Sequence, residues 1–124
     1  MGEATTRRRR AERAGRLAEG ATAALLACKG YRLLKRRLRT PKGEIDLVAR
    51  RGRTIAFVEV KLRSTHDSGV AAVTDAGQRR IAAAAQWWLA ANPAYVGYDM
   101  RFDIVVWTPW RWPRHLPAAF DAEA

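Results

Sequence analysis

Apolar residues recur along this chain in two rhythms, one close to every third or fourth position and one at every second. From Ala11 to Lys29 strong helix formers dominate. Leu17, Ala21, Ala24, Leu25 and Cys28 return at three- and four-residue intervals, which predicts a helix with one apolar stripe. Gly30, directly after Lys29, is a C-terminal stop. The rhythm then changes. "YRLLKRRL" (31–38) predicts a first strand, polar enough for a sheet edge, and "TPKG" turns the chain. "EIDLVAR" and "TIAFVEVKLR" alternate cleanly around "RG" and predict a hairpin. "STHDSG" (64–69) is a loop, and "QRRIAAAAQWWLAA" (78–91) a second helix ended by Asn92-Pro93. "MRFDIVVW" (100–107) is another strand. The tail after it, rich in Pro and Trp, reads as irregular with at most a short final turn or strand.

The order α-β-β-β-α-β predicts an α/β fold, a mixed sheet with helices on its faces. With 124 residues a single domain is expected, here residues 11–124 behind a flexible basic arm, residues 1–10. Alternation assigns side chains to faces. Ile45, Leu47 and Ala49, with Ala56, Val58, Val60 and Leu62, and later Phe102, Ile104 and Val106, read as the core face under a helix. Glu44 and Asp46, with Phe57, Glu59 and Lys61, fall on the other. The turn sets how the two polar sets meet. A two-residue loop at Arg51-Gly52 pairs Arg50 with Arg53 and leaves Asp46 diagonal to Glu59. A four-residue loop, 51–54, sets Asp46 directly opposite Glu59. A three-residue loop would split them across the sheet.

Charge adds a partner class. Lys and Arg number 23 against 12 Asp and Glu, a formal +11. Such a balance favours an anionic partner, nucleic acid before membrane. Two clusters concentrate it: Arg7, Arg8, Arg9, Arg10, Arg13 and Arg16, then Arg32, Lys35, Arg36, Arg37, Arg39 and Lys42; Arg63 joins them as a candidate phosphate contact. A generally basic, solvated face is the plainer alternative. Cys28 is the only cysteine, so no internal disulfide can form, in keeping with a reducing cytoplasm. "ATAALLAC" (21–28) is shorter than the ~20 residues a bilayer crossing needs and lacks a cleavage pattern.

Carboxylates gathered on one sheet face repel one another unless protonated or bridged by a cation. Oxygen ligands suit Mg²⁺ or Mn²⁺; one cysteine and two distant histidines make a poor Zn²⁺ site. Lys61, two residues beyond Glu59, lies about 6.6 Å along the same face, where an ammonium can hold a water or neutralise charge on a phosphate. That arrangement suits phosphodiester hydrolysis. Cross-strand ion pairing of Glu44 or Glu59 with Lys61 or an Arg is the competing structural reading.

The pattern D-x₁₂-E-x-K on a hairpin resembles the PD-(D/E)XK nuclease superfamily, which includes archaeal Holliday-junction resolvases. "GEIDLVARRGRTIAFVEVKLRS" resembles more closely still the YraN-like family of small bacterial proteins, as do "AEG…KGYRLL", "VTDAGQRRI", "RFDIVV" and "HLPAAF". The resemblance spans about residues 13–120. It implies a restriction-endonuclease-like core in which Asp46 and Glu59 bind Mg²⁺ (or Mn²⁺) and Lys61 assists the attacking water. It further implies that Glu19 approaches the metal and that Gln78 opens the second helix at the site, with Glu44 beside them. One departure is Gly77, where the family often has Lys before the Gln.

Plainer roles stand beside these. Glu19 can be a solvated helix residue, and Gln78 a helix cap. Asp103 reads as a structural partner of an Arg. His66 could shuttle protons, although a loop histidine is more often solvent-exposed, and His115 has less support. "WTPWRWPRH" mixes Trp and Arg as a base-stacking platform would, but packing of the tail against the core is the commoner reason and is preferred. The resulting expectation is a Mg²⁺-dependent endonuclease, acting on DNA, branched or damaged. The alternatives are a non-catalytic nucleic-acid-binding protein of the same fold and an RNA-processing nuclease. Junction cleavage would imply a homodimer.

Overall fold

The computed structural model describes residues 2–64 and 73–121. Helix α1 (Gly2–Cys28) is followed by strands β1 (Arg32–Thr40), β2 (Gly43–Arg51) and β3 (Thr54–Leu62). Then come helix α2 (Asp75–Ala91), a 3-10 turn (Pro93–Tyr95), β4 (Asp99–Trp107) and β5 (Arg114–Phe120). The expected α/β order therefore holds, with one further strand at the end where the tail reads as irregular. All five strands form one sheet in the order β1-β2-β3-β4-β5. It is mixed: β3 and β4 run parallel, joined through α2, and the other neighbours are antiparallel.

Helix α1 starts at Gly2, not at Ala11, so residues 2–10 of the expected basic arm are helical. It ends where the sequence places the stop. Gly30 has φ +91°, Tyr31 N–H donates to Leu26 O at 2.9 Å and Gly30 N–H to Ala27 O at 3.0 Å. This is the left-handed glycine closure of a helix. The buried stripe, however, is Ala18, Thr22 and Leu26, one position on from the expected Leu17, Ala21 and Ala24 or Leu25; Leu17 is 67% exposed. Thr22 explains the shift. Its hydroxyl donates to Ala18 O at 2.6 Å and accepts from Trp107 Nε1 at 2.7 Å, so a polar residue is fully satisfied inside the face.

Both faces of the sheet are covered, which corrects the single core face. Leu26 and Tyr31 pack with Leu47, Ala49, Ala56, Val58 and Val105 on the α1 side. Ile81, Ala84, Ala85 and Trp88 pack with Val48, Ile55, Phe57, Phe102, Ile104 and Val106 on the α2 side. The parallel register sets Phe57 beside Phe102, and their rings stack at 5.6 Å. Phe102, Ile104 and Val106 therefore lie opposite to Leu47 and Val58, not with them. At Gly43 β2 lies close against α2. A Cβ there would meet Arg80 O at 3.1 Å, so no larger residue fits without a shift.

Candidate active site

The hairpin closes with Arg51 opposite Thr54, and its ladder runs back to Leu47 opposite Val58. This is the register expected from a four-residue loop, the one that aims Asp46 at Glu59, although the connection itself is only Gly52-Arg53. The ladder stops just short of Asp46. On the other side β1 pairs Arg36 with Leu47 and Leu38 with Ile45, and the residue between, Arg37, is left-handed at φ +53°. Asp46 thus sits where the β3 ladder has ended and the β1 ladder skips one pair. Beyond it the alternation breaks: Ile45 joins the α2-side core while Leu47 belongs to the α1 side, so their expected common face does not exist.

The freed backbone is satisfied by the side chain. Asp46 Oδ2 accepts from Val60 N–H at 2.8 Å, standing in for a ladder carbonyl. This sets the Asp46 carboxyl close enough to Glu59 for each to act on the other's charge. Burial and, secondly, the neighbouring Asp46 charge push Glu59 up to about 7. Burial also raises Asp46, with Glu19 adding to it and Val60 N–H and Lys61 opposing. Lys61 Nζ lies 3.6 Å from Glu59 Oε2. Two cavities flank the pair. One of about 440 Å³ lies between α1 and β1–β2 and is lined by Asp46, Glu19 and Arg37. The other, of about 500 Å³, lies under the start of α2 and is lined by Glu59, Lys61, Thr74, Gly77 and Arg80. Glu44 lines both.

Other predicted residues fall at differing distances from this point. Glu19 faces the Asp46 cavity, but Arg37 Nε donates to its Oε1 at 2.9 Å. Arg36 also reaches it, at 4.0 Å. Among the described residues no group of three or more His, Cys, Asp and Glu is arranged to hold a metal ion. Glu44 pairs with Arg39 at 3.6 Å on the exposed rim. Gln78 serves the helix: its Nε2 donates to Val73 O at 3.2 Å, while Thr74 caps α2 by accepting from Gly77 N–H at 3.1 Å. Arg7, Arg8, Arg9, Arg10, Arg13 and Arg16 are exposed along the first half of α1, with Lys42 exposed in the β1–β2 turn. Arg63, half-buried, donates to Leu62 O at 2.7 Å. His66 lies outside the described residues.

Comparison with known proteins sets this geometry in a family. The family described as Uncharacterised protein family UPF0102 matches residues 18–107. The chain belongs to the UPF0102 family. It is 55% identical over 105 residues to the UPF0102 protein of Rhodopseudomonas palustris (strain BisB5), covering 85% of this chain and 80% of that one. It is 52% identical over 114 residues to the UPF0102 protein of Sinorhizobium fredii, covering 92% and 93% respectively. The UPF0102 match takes in Glu19, Asp46, Glu59, Lys61 and Gln78; Arg7 to Arg16, His115 and the Trp-rich segment after Trp107 lie beyond it.

The UPF0102 chain also holds a polar centre that sequence reasoning saw only in part. Asp103, expected to pair with an Arg, is fully buried and accepts from Arg101 at 2.7 and 2.8 Å. It also accepts from Ala118 N–H at 3.0 Å and from His115 Nε2 at 2.8 Å. Burial opposes its charge, but the hydrogen bonds from His115 and Arg101 outweigh it and hold its pKa down at about 2. Lys29 Nζ reaches His115 Nδ1 at 2.8 Å, and Tyr31 Oη bonds Arg101. A carboxylate can only accept and an ammonium can only donate, so the His115 proton sits on Nε2. His115, given little weight in the sequence, becomes the partner of Asp103 because β5 returns beside β4. Among the described residues no helix is long and apolar enough to cross a membrane.

Proposed function

We propose that this chain is a divalent-metal-dependent nuclease, hydrolysing phosphodiester bonds of nucleic acid, with DNA as the favoured substrate. One observation carries the reading. Asp46 and Glu59, from two strands, stand side by side where the hairpin ladder ends, each acting on the other's charge, with the Lys61 ammonium 3.6 Å from Glu59. Two half-buried carboxylates side by side ionise together only at a cost, which a bound cation, like a proton, relieves. Asp46 and Glu59 would hold the ion, Mg²⁺ or Mn²⁺, since such ions need only one or two carboxylates beside water and phosphate oxygens. When bound, the ion supplies charge neutralisation for the phosphate and a more acidic water. Lys61 stands beside the pair, where its ammonium stabilises charge developing on phosphoryl oxygen. The likeness of the hairpin motif to the PD-(D/E)XK nucleases supports the same assignment, and the exposed arginines of α1 supply phosphate contacts.

The rival is a non-catalytic nucleic-acid-binding protein, and one observation favours it: Glu19 is tied to Arg37 and leaves the site with two acidic ligands. Linear, flapped and four-way DNAs incubated with pure protein in Mg²⁺, Mn²⁺ or chelator separate the two. The nuclease reading expects metal-dependent cleavage that Asp46→Ala and Glu59→Ala both abolish. Tight binding without cleavage under every metal condition favours the rival.

A further inference from the structure

The tail "TPWRWPR" between β4 and β5 does not pack as the sequence suggests. Trp107 turns inward to Thr22, but Trp110 is 103% exposed and Trp112 88% exposed. Trp110 is also in an unusual backbone state. Arg111 N–H closes a turn onto Thr108 O at 3.3 Å, Pro109 takes its second position, and Trp110 in the third has φ +64°. A turn of this kind normally places Gly there. A bulky side chain at positive φ costs on the order of 1 kcal/mol or more. Here the cost brings no core contact in return, since the ring stands in solvent. Arg111 lies between the two rings in sequence, and Arg114 begins β5.

Position gives this loop its meaning. β3 and β4 are parallel, so the C-terminal end of β3, which carries Glu59 and Lys61, lies beside the end of β4, which leads into the loop. Leu62 is level with Trp107, and Arg63 N–H donates to Trp107 O at 2.9 Å. Glu59 is three residues before Leu62, about 10 Å along the strand. Between the strand ends is an open cavity of about 600 Å³ lined by Leu62, Arg63, Ser64, Trp107, Thr108 and Pro109. The Thr108 hydroxyl is buried there without a hydrogen-bond partner among the described residues.

We infer that Trp110 and Trp112 form a stacking platform for unpaired nucleobases, and that this chain therefore selects nucleic acid with single-stranded or unpaired positions next to the phosphate at Glu59 and Lys61. The inference rests on the nucleic-acid reading above and narrows its substrate class. Aromatic faces accept any base, and in paired DNA those faces are already stacked, so the platform engages only where pairing is broken. Arg63, Arg111 and Arg114 supply the cations that hold the backbone beside it. The apolar lining of Leu62, Trp107 and Pro109 suits a base removed from its stack.

Binding is measured in chelator, so cleavage does not intervene, using labelled single-stranded, gapped and blunt duplex DNA. The proteins are the wild type, a Trp110→Ala/Trp112→Ala pair and a Trp110→Phe/Trp112→Phe pair, with matched thermal melts. The alanine pair is expected to lose about tenfold or more on single-stranded and gapped DNA, with blunt duplex affinity unchanged. The phenylalanine pair should recover most of the loss. Equal loss on all three DNAs, or none on unpaired DNA, overturns the platform while leaving nucleic-acid binding intact. A wild type that binds no DNA sinks both readings. Trp-dependent binding to anionic phospholipid vesicles with no effect on DNA also overturns the platform and makes the loop a lipid contact.

Discussion

Glu59 gives up its proton only near neutral pH, and that has a measurable cost for the folded chain. A carboxyl raised from 4.5 to about 7 binds its proton more tightly when folded. Folding stability is therefore undiminished below about pH 4.5, falls as pH rises toward 7, and stays lowered above it. Glu59→Gln is expected to raise the metal-free stability at pH 8 by on the order of 1–3 kcal/mol and to abolish the upward melting shift that Mg²⁺ produces in the wild type. Melts in chelator and in Mg²⁺ at pH 5 and pH 8 test this; a Glu59→Gln protein that melts lower in chelator at pH 8 would remove the case for a strained dyad. Asp103 has the opposite sign. Its depressed pKa stabilises the fold above about pH 4, and the contribution drains away as pH falls toward 2. Asp103→Asn should lose about 3 kcal/mol at pH 7, because Arg101 loses its charge partner and the His115 Nε2–H its carboxylate acceptor. The deficit should shrink at pH 3, as read by denaturant titration. Lys61→Ala should leave metal and DNA binding in place and slow cleavage by about 10²–10³-fold, the size of one lost transition-state stabiliser.

At the scale of elements, α1 is two helices in one: an exposed basic half and a half that packs through Ala18, Thr22 and Leu26. The two halves are open to separate tests. Leu26→Ala should cost about 2–5 kcal/mol, whereas Leu17→Ala should stay within about 0.5 kcal/mol, in thermal or denaturant unfolding. Reversing several of Arg7 to Arg16 should leave unfolding unchanged and flatten the salt dependence of DNA binding. The difference between Leu17 and Leu26 marks what the sequence conceals. Periodicity alone prefers the stripe with more leucine and alanine, because it scores Thr22 as polar and cannot see that Trp107 answers its hydroxyl. Similarly, alternation finds the strands, and the turn possibilities include the register that aims Asp46 at Glu59. It puts Ile45 with Leu47 because nothing in "GEIDLV" announces that the β3 ladder ends, and the β1 ladder skips a pair, at Asp46. Glu19 reads as a ligand candidate for the same reason: its capture by Arg37 depends on a left-handed backbone that few arginines adopt. Trp110 is the reverse case, a residue whose type suggests packing and whose backbone conformation puts it in solvent.

Across the whole molecule, two polar centres sit at different depths of the chain's connectivity. Asp46 and Glu59 belong to the β1–β2–β3 meander, residues 32–62, whose contacts are close in sequence. The Asp103 centre joins Lys29 and Tyr31, after α1, to β4 and β5, and some of its bonds span 70 and 86 residues. The parallel pairing of β3 with β4 likewise matches Thr54 to Asp99, across the whole of α2. Local contacts close early and distant ones late, because loop closure must precede their reward. The meander, with its two unreconciled carboxyls, is therefore expected to assemble before the segment that clasps the sheet to α1. Stopped-flow refolding gives this a number. Asp103→Asn should leave the folding rate nearly unchanged and accelerate unfolding, while Val48→Ala in the meander should slow folding. The buried Asp103 centre then acts chiefly as a latch, setting how long the native chain persists once formed.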